Sequence, residues 1–192
     1  MRASGGSAMT RHGLVAGLCG ALLLAIGQPA RAADNLACAT ALIDEPLSAA
    51  VFATYRREGD MGAALIERAG EGFFHCAESA GWSQAATESA LRVMFGEILT
   101  RGLAAEFVPL GVDMETLRGS TEAFLAQLAP EARRGVANGE VSDDSGEALV
   151  YQLLNDKAVR EDQLSGDIPR MIGEYAAARA NAAVFTADFE TQ

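Results

Sequence analysis

The sequence holds few of the residues that enzymes use for covalent or metal chemistry, with two histidines and three cysteines among 192 residues. It contains no Gly-x-Ser-x-Gly elbow, no phosphate-binding loop and no dinucleotide-binding fingerprint. These are the local patterns of serine hydrolases, nucleotide hydrolases and nicotinamide enzymes. The absence of Cys-x-x-Cys argues against a thioredoxin-type oxidoreductase and excludes covalent c-type haem. We therefore expect a non-catalytic protein without a cofactor.

Patterns typical of β-strands are scarce, because no stretch alternates apolar and polar residues while using β-branched side chains. Apolar residues recur every three or four positions instead, which indicates amphipathic helices. Capping residues such as Ser83 and Asp113 open these helices, and glycines such as Gly59, Gly81 and Gly102 end them. Short connections favour antiparallel neighbours. The sequence predicts an all-α, single-domain bundle of about six mostly antiparallel helices in residues 33–192.

The N-terminal segment has the layout of a secretory signal peptide. Two arginines and no acidic residue precede an apolar run from Gly13 to Gly27, which at about 15 residues is shorter than a membrane-spanning helix. Ala30 and Ala32 then occupy the −3 and −1 positions of a signal-peptidase site. We expect cleavage of residues 1–32 and a periplasmic or secreted mature protein. A retained N-terminal anchor is the alternative.

Acidic residues outnumber basic ones, with 26 against 15 and a formal net charge of −11. Cleavage of the signal segment would make the charge more negative, because residues 1–32 contain three arginines and no acid. Such a charge repels the phosphates of nucleic acids and anionic lipid headgroups. We expect no nucleic-acid partner and no stable membrane association after cleavage, which leaves a protein or a small molecule as partner.

Two cysteines, Cys38 and Cys76, remain after cleavage. An even pair in an exported chain indicates one disulfide, because the compartments outside the cytoplasm are oxidising. A pair of buried free thiols is the alternative. The predicted bridge would tie the first segment of the mature chain to the apolar face of a long central helix.

His75 is the one histidine beyond the signal segment, and Glu71 and Glu78 lie near it at helical spacings. A histidine and carboxylates could bind a divalent metal if they converged. Carboxylates spaced along one helix do not converge on a point, so completion of a site would require Glu88 or Glu97 from the next helix. We therefore predict no metal site and no catalytic residue. We expect instead that His75 pairs with Glu71 or Glu78 on a solvated helix face.

An acidic segment containing Glu140, Asp143 and Asp144 precedes a helix that we predict from Glu147 to about Val159. The segment lacks the alternating ligand spacing of a calcium loop. Carboxylates at the start of a helix meet free backbone N–H groups and the positive end of the helix dipole. We interpret the segment as helix capping.

Three functions remain open on these observations. The leading hypothesis is an exported acidic helical protein that acts by binding or interaction. One alternative is a small-molecule carrier whose pocket between helices is lined by residues such as Phe73, Phe95 and Tyr175. The other is a metal-dependent hydrolase centred on His75 and its carboxylates. Trp82 is expected to be a packing residue, with an exposed anchor for a partner as the alternative.

Overall fold

Every regular element in residues 35–192, the part of the chain that the structure describes, is helical in this computed structural model. The α-helices cover residues 35–40 (α1), Glu45–Glu58 (α2), Gly62–Ala80 (α3), Gln84–Phe107 (α4), Met114–Gln127 (α5), Pro130–Ala137 (α6), Asp143–Asn155 (α7) and Ile168–Glu190 (α8). Short 3₁₀ turns follow α4 and α7, at Val108–Leu110 and Glu161–Gln163. The all-α prediction is confirmed, with eight described helices rather than about six. The predicted signal segment lies outside the described residues.

The predicted helix ends follow from local capping. The Ser83 side chain accepts a hydrogen bond from the Ala86 N–H at the start of α4, and Asp113 does the same for the first turn of α5. Gly59 and Gly81 take the left-handed conformation after α2 and α3, with φ of 73° and 66°. These bonds and turns satisfy the backbone groups that a helix end leaves unpaired.

Gly102 does not end α4, contrary to the prediction, and the helix continues to Phe107. A β-carbon on Gly102 would lie 2.2 Å from the Phe52 ring. The glycine therefore serves the packing of α2 against α4. Spacing along one chain does not reveal this use, because it depends on a residue of another helix.

The helix predicted from Glu147 to about Val159 begins earlier and ends earlier, at Asp143 and Asn155. It begins earlier because the Ser142 side chain accepts a hydrogen bond from the Ser145 N–H and caps it. It ends earlier because Lys157 adopts a positive φ of 59°, which a continuing helix does not allow. Asp143 of the acidic segment therefore lies in the first turn of α7, about one turn before the predicted start.

The centre of the bundle is the pair α4 and α8, which have the most extensive contact of any two elements described. Gly96 lies against Ala178 and Ala182, while Phe107 packs edge-to-face on Tyr175. As the residue number rises from 96 to 107 along α4, the contacting residues of α8 fall from 178–182 to 175, so the two helices run antiparallel. Around them, α2 packs on α4, α6 on α8, and α5 on α7. None of the helices in residues 35–192 has the length and hydropathy needed to cross a membrane.

Candidate interaction surface

A solvent-open groove separates α7 from the first part of α8 and has a volume of about 650 Å³. Its floor contains the buried side chains of Leu149 and Ile172. Gly173 also lines it, and a β-carbon there would meet nothing within 4 Å. Apolar residues form the sides of the groove: Val141, Val150, Tyr151, Leu154 and Pro169. We refer to this feature as the α7–α8 groove.

Tyr151 is the most exposed large apolar side chain on the surface of residues 35–192, at 70% of its full accessibility. It lines both the α7–α8 groove and a second groove between α5 and α7. Val141, at 36%, is exposed at the same groove. Isolated apolar side chains on a surface are ordinary. Tyr151 and Val141 instead share one groove with the partly buried side chains of Val150 and Leu154.

Two carboxylates, Asp143 and Glu147, lie on the part of α7 that lines this groove, and no basic residue lines it. Positions 143, 147, 151 and 154 follow one another at intervals of three and four, so they share one helix face. Neither carboxylate pairs with a basic side chain of residues 35–192. The groove is thus apolar over most of its length and negatively charged toward the start of α7.

The prominent inter-helix ion pairs of the bundle lie elsewhere and hold helices together. Arg56 of α2 pairs with Glu106 of α4 and, at 2.8 Å, with Glu174 of α8. Burial acts to lower the pKa of Arg56, but the hydrogen bond to Glu106 and the charges of Glu174 and Glu106 outweigh it and raise that pKa. The guanidinium also lies 5.0 Å from the centre of the Phe52 ring. This cluster is a three-helix clamp whose polar groups are already satisfied.

A second clamp joins α6 to α8. Arg134 donates two hydrogen bonds to the Asp188 carboxylate, at 2.7 and 2.8 Å. The hydrogen bond from Arg134 lowers the pKa of Asp188, although partial burial acts in the opposite direction. A groove beside this pair is lined by charges of both signs, including Glu131, Arg133 and Asp188. Arg133 there donates to the backbone carbonyls of Leu125 and Leu128, which end α5.

The structure does not bring the candidate metal ligands together. His75, Glu71 and Glu78 are all exposed on α3. The expected ion pair between His75 and either glutamate is not formed, and that expectation is corrected. Side chains on one helix project outward along its length, so they do not converge. Within residues 35–192, no three His, Cys, Asp or Glu side chains are grouped so that they could hold a metal ion.

The two cysteines predicted to pair are adjacent. The sulfur atoms of Cys38 and Cys76 are bonded in the structure, with their Cα atoms 5.9 Å apart. This separation lies in the range that a disulfide spans without backbone movement. Cys38 belongs to α1, a helix that the sequence pattern did not predict, and Cys76 is buried on α3. A bridge here is compatible with an extracellular location.

The aromatic residues considered for a carrier pocket belong to the core or its edge. Phe73 and Tyr175 are each 2% exposed, and Phe95 is partly buried against the same core. Trp82 packs edge-to-face between Phe73 and Phe189, with ring centres 5.9 and 5.0 Å away. Trp82 is therefore a packing residue, which ties the corner between α3 and α4 to the end of α8.

The sequence did not predict a role for Val150 and Tyr151, which line the groove. The helical spacing of Leu149, Leu153 and Leu154 predicts an inward apolar stripe, and Leu149 and Leu153 are buried. The signal that would have revealed the groove is the width of the apolar surface. Val150 and Tyr151 extend it around α7 beyond what contact with one neighbouring helix requires.

Comparison of the chain with protein-family models, with curated proteins and with solved structures finds no match.

Proposed function

We propose that the protein is exported and acts by binding a partner protein at the α7–α8 groove, without catalysis of its own. The observation that carries this proposal is the 70% exposure of Tyr151 in a groove whose lining is mostly apolar. Tyrosine supplies a large contact area at a small cost in side-chain entropy, and it is enriched among the residues that dominate interface energies. Burial of such an exposed side chain against a partner contributes a large favourable free energy to binding.

The arrangement of the other polar groups supports binding over catalysis. Arg56, Glu106 and Glu174 are engaged with one another in a clamp between helices, and Arg134 and Asp188 form another. A catalytic acid or base needs a pKa matched to its task and a place beside a bound substrate. These groups instead stabilise the bundle on which the α7–α8 groove is built.

Export is supported by the sequence of residues 1–32 and by the cysteine pair. The segment has the charged, apolar and small-residue parts of a signal peptide in the required order. Cys38 and Cys76 are placed to form a bridge, and such bridges persist in oxidising compartments.

Site-specific photo-crosslinking tests the proposed function. The full chain is expressed in the cells that make it, with a benzophenone-bearing phenylalanine analogue in place of Tyr151. We expect a discrete light-dependent adduct with one partner protein, because the side chain at this position would be covered in the complex.

The matched control carries the same analogue at Phe74 of α3, which is 47% exposed and does not line the α7–α8 groove. Adduct formation from position 151 and not from position 74 supports the proposal. Equal adducts from both positions, or none from position 151, would contradict it.

A further inference from the structure

The chemistry of the α7–α8 groove restricts what it binds. Its apolar lining includes Val150, Tyr151 and Leu154, which follow the carboxylates of Asp143 and Glu147 along one face of α7. The face from position 143 to position 154 covers about three helical turns, or about 16 Å at 1.5 Å per residue. A complementary surface is apolar over the same length and carries positive charge at one end.

Charge complementarity indicates the sign of the charge that the partner carries. The lining of the groove contains two carboxylates and no basic residue, within a chain whose formal net charge is −11. Asp143 and Glu147 form no ion pair with residues 35–192. An acidic partner would be repelled over the whole approach, whereas a basic one would be attracted and would pair with these two groups.

The shape of the groove favours a helix as the partner element. The absence of a side chain at Gly173 leaves open space above the floor of the groove. Small residues allow a second backbone to approach closely, and an amphipathic helix laid in an apolar groove is a common mode of peptide recognition. Its anchors would repeat at three and four positions and contact α7 and α8 together.

We infer that the α7–α8 groove binds a basic amphipathic helix of a partner protein, with apolar anchors against Tyr151 and Leu154 and Lys or Arg side chains at Asp143 and Glu147. The inference rests on the proposed function and specifies the chemistry of the partner. The positive charges steer association, and the apolar contacts supply most of the affinity.

Titration with synthetic peptides tests this inference. The probe is a peptide of about 18 residues, long enough to form a helix, with leucine on one face and lysine on the other. One comparison peptide has glutamate in place of lysine, and another has the probe's composition in a scrambled order without an apolar face. Binding to the full mature protein is followed by fluorescence anisotropy at low and high salt. We expect the lysine probe to bind saturably with one-to-one stoichiometry, and neither comparison peptide to bind.

Paired variants locate the site. Tyr151→Ser is expected to weaken binding about tenfold or more at every salt concentration, because it removes an apolar anchor. Glu147→Gln is expected to weaken binding at low salt and to reduce its salt dependence, because screening already suppresses this charge at high salt. The controls are Phe74→Ser and Glu71→Gln on α3, which remove an exposed aromatic ring and an exposed carboxylate away from the groove. We expect both controls to bind as the unmodified protein does.

Three outcomes would overturn the inference: equal binding of the glutamate peptide, equal binding of the scrambled peptide, or losses of the same size in the groove and control variants. Binding of octylamine in place of the peptide, sensitive to Tyr151→Ser, would assign the groove to a small molecule and overturn it as well. A crosslinked partner from position 151 with no binding of the lysine peptide would refute the basic helix and leave the proposed function standing. Absence of both the crosslinked partner and the peptide binding would refute the proposed function and the basic helix together.

Discussion

Gly96 of α4 and Ala182 of α8 are in direct backbone contact. A β-carbon on Gly96 would lie 2.8 Å from the Ala182 backbone nitrogen and 2.8 Å from the Ala178 carbonyl oxygen. Real β-carbons do not approach backbone atoms so closely, and backbone has less freedom to move aside than a flexible side chain. The central pair of helices is therefore held at a separation that only glycine permits at position 96.

Substitution of this glycine should destabilise the fold. Gly96→Ala is expected to lower the free energy of unfolding by about 1–3 kcal/mol, because the added methyl group forces α4 and α8 apart. Gly119→Ala on α5 is the control, since nothing lies within 4 Å of its β-position, and it should stabilise by up to about 1 kcal/mol. Urea denaturation followed by the fluorescence of Trp82 measures both. Equal stability of Gly96→Ala and the unmodified protein would contradict the close contact.

Much of this fold could be predicted from the sequence because its signals are local. Ser83, Asp113, Gly59 and Gly81 each mark a helix end through a hydrogen bond or a dihedral angle within a few residues. Such features need no knowledge of which helices are neighbours. The all-α class follows from the same local information, since helical spacing of apolar residues requires only one chain segment at a time.

The features that the sequence did not predict depend on tertiary neighbours. A glycine after a stretch of apolar residues at helical spacing is typical of a helix end, yet Gly102 instead accommodates the ring of Phe52 from another helix. The exposure of Tyr151 depends on how far α8 lies from α7, which no periodicity within α7 specifies. The groove is for this reason a finding of the structure, whereas the pairing of Cys38 with Cys76 was predicted from count and compartment alone.

Removal of the cysteine pair tests its contribution to stability. The bridge closes a loop with a sequence separation of 38, which corresponds to about 4 kcal/mol as an upper value in the chain-entropy treatment. Cys38→Ser with Cys76→Ser is expected to lower the free energy of unfolding by a few kcal/mol, within that value. Thiol titration of the unfolded, unreduced protein should find no free thiol from this pair. Two reactive thiols would show that the bridge does not form in the protein.

The Arg134–Asp188 pair should make stability depend on pH in the acid range. Because the pKa of Asp188 is lowered in the folded state, the pair stabilises the fold above the ordinary aspartate pKa of about 3.9. That stabilisation is lost as the pH falls through the lowered folded value. Asp188→Asn is expected to remove about 0.2–1 kcal/mol at neutral pH, a range set by partial exposure, and to flatten the acid dependence.

Urea denaturation between about pH 6 and pH 2 measures this effect, since the paired carboxylate loses its charge within that interval. The control is Asp156→Asn, which removes an exposed carboxylate that pairs with no basic side chain of the described residues. An unchanged acid dependence in Asp188→Asn would show that the pair does not contribute.

His75→Ala should have little effect on the fold. The side chain is exposed on α3, and surface substitutions of this kind change the free energy of unfolding by about 0.5 kcal/mol or less. Metal analysis of protein purified without chelators should find no stoichiometric transition metal that depends on His75. A bound metal that is lost in His75→Ala would revive the hypothesis of a metal-dependent hydrolase.

The most direct test of binding at the α7–α8 groove fills it while leaving the fold intact. Gly173 and Gly119 each have open space at the β-position, and Gly173 lines the groove while Gly119 does not. Leucine favours helix over glycine by about 0.5–1 kcal/mol, so Gly173→Leu and Gly119→Leu should both fold stably. The measurement is the yield of the light-dependent adduct from the benzophenone side chain at position 151 in each variant. We predict that Gly173→Leu abolishes the adduct and Gly119→Leu preserves it; an adduct that survives Gly173→Leu undiminished would contradict binding in the groove.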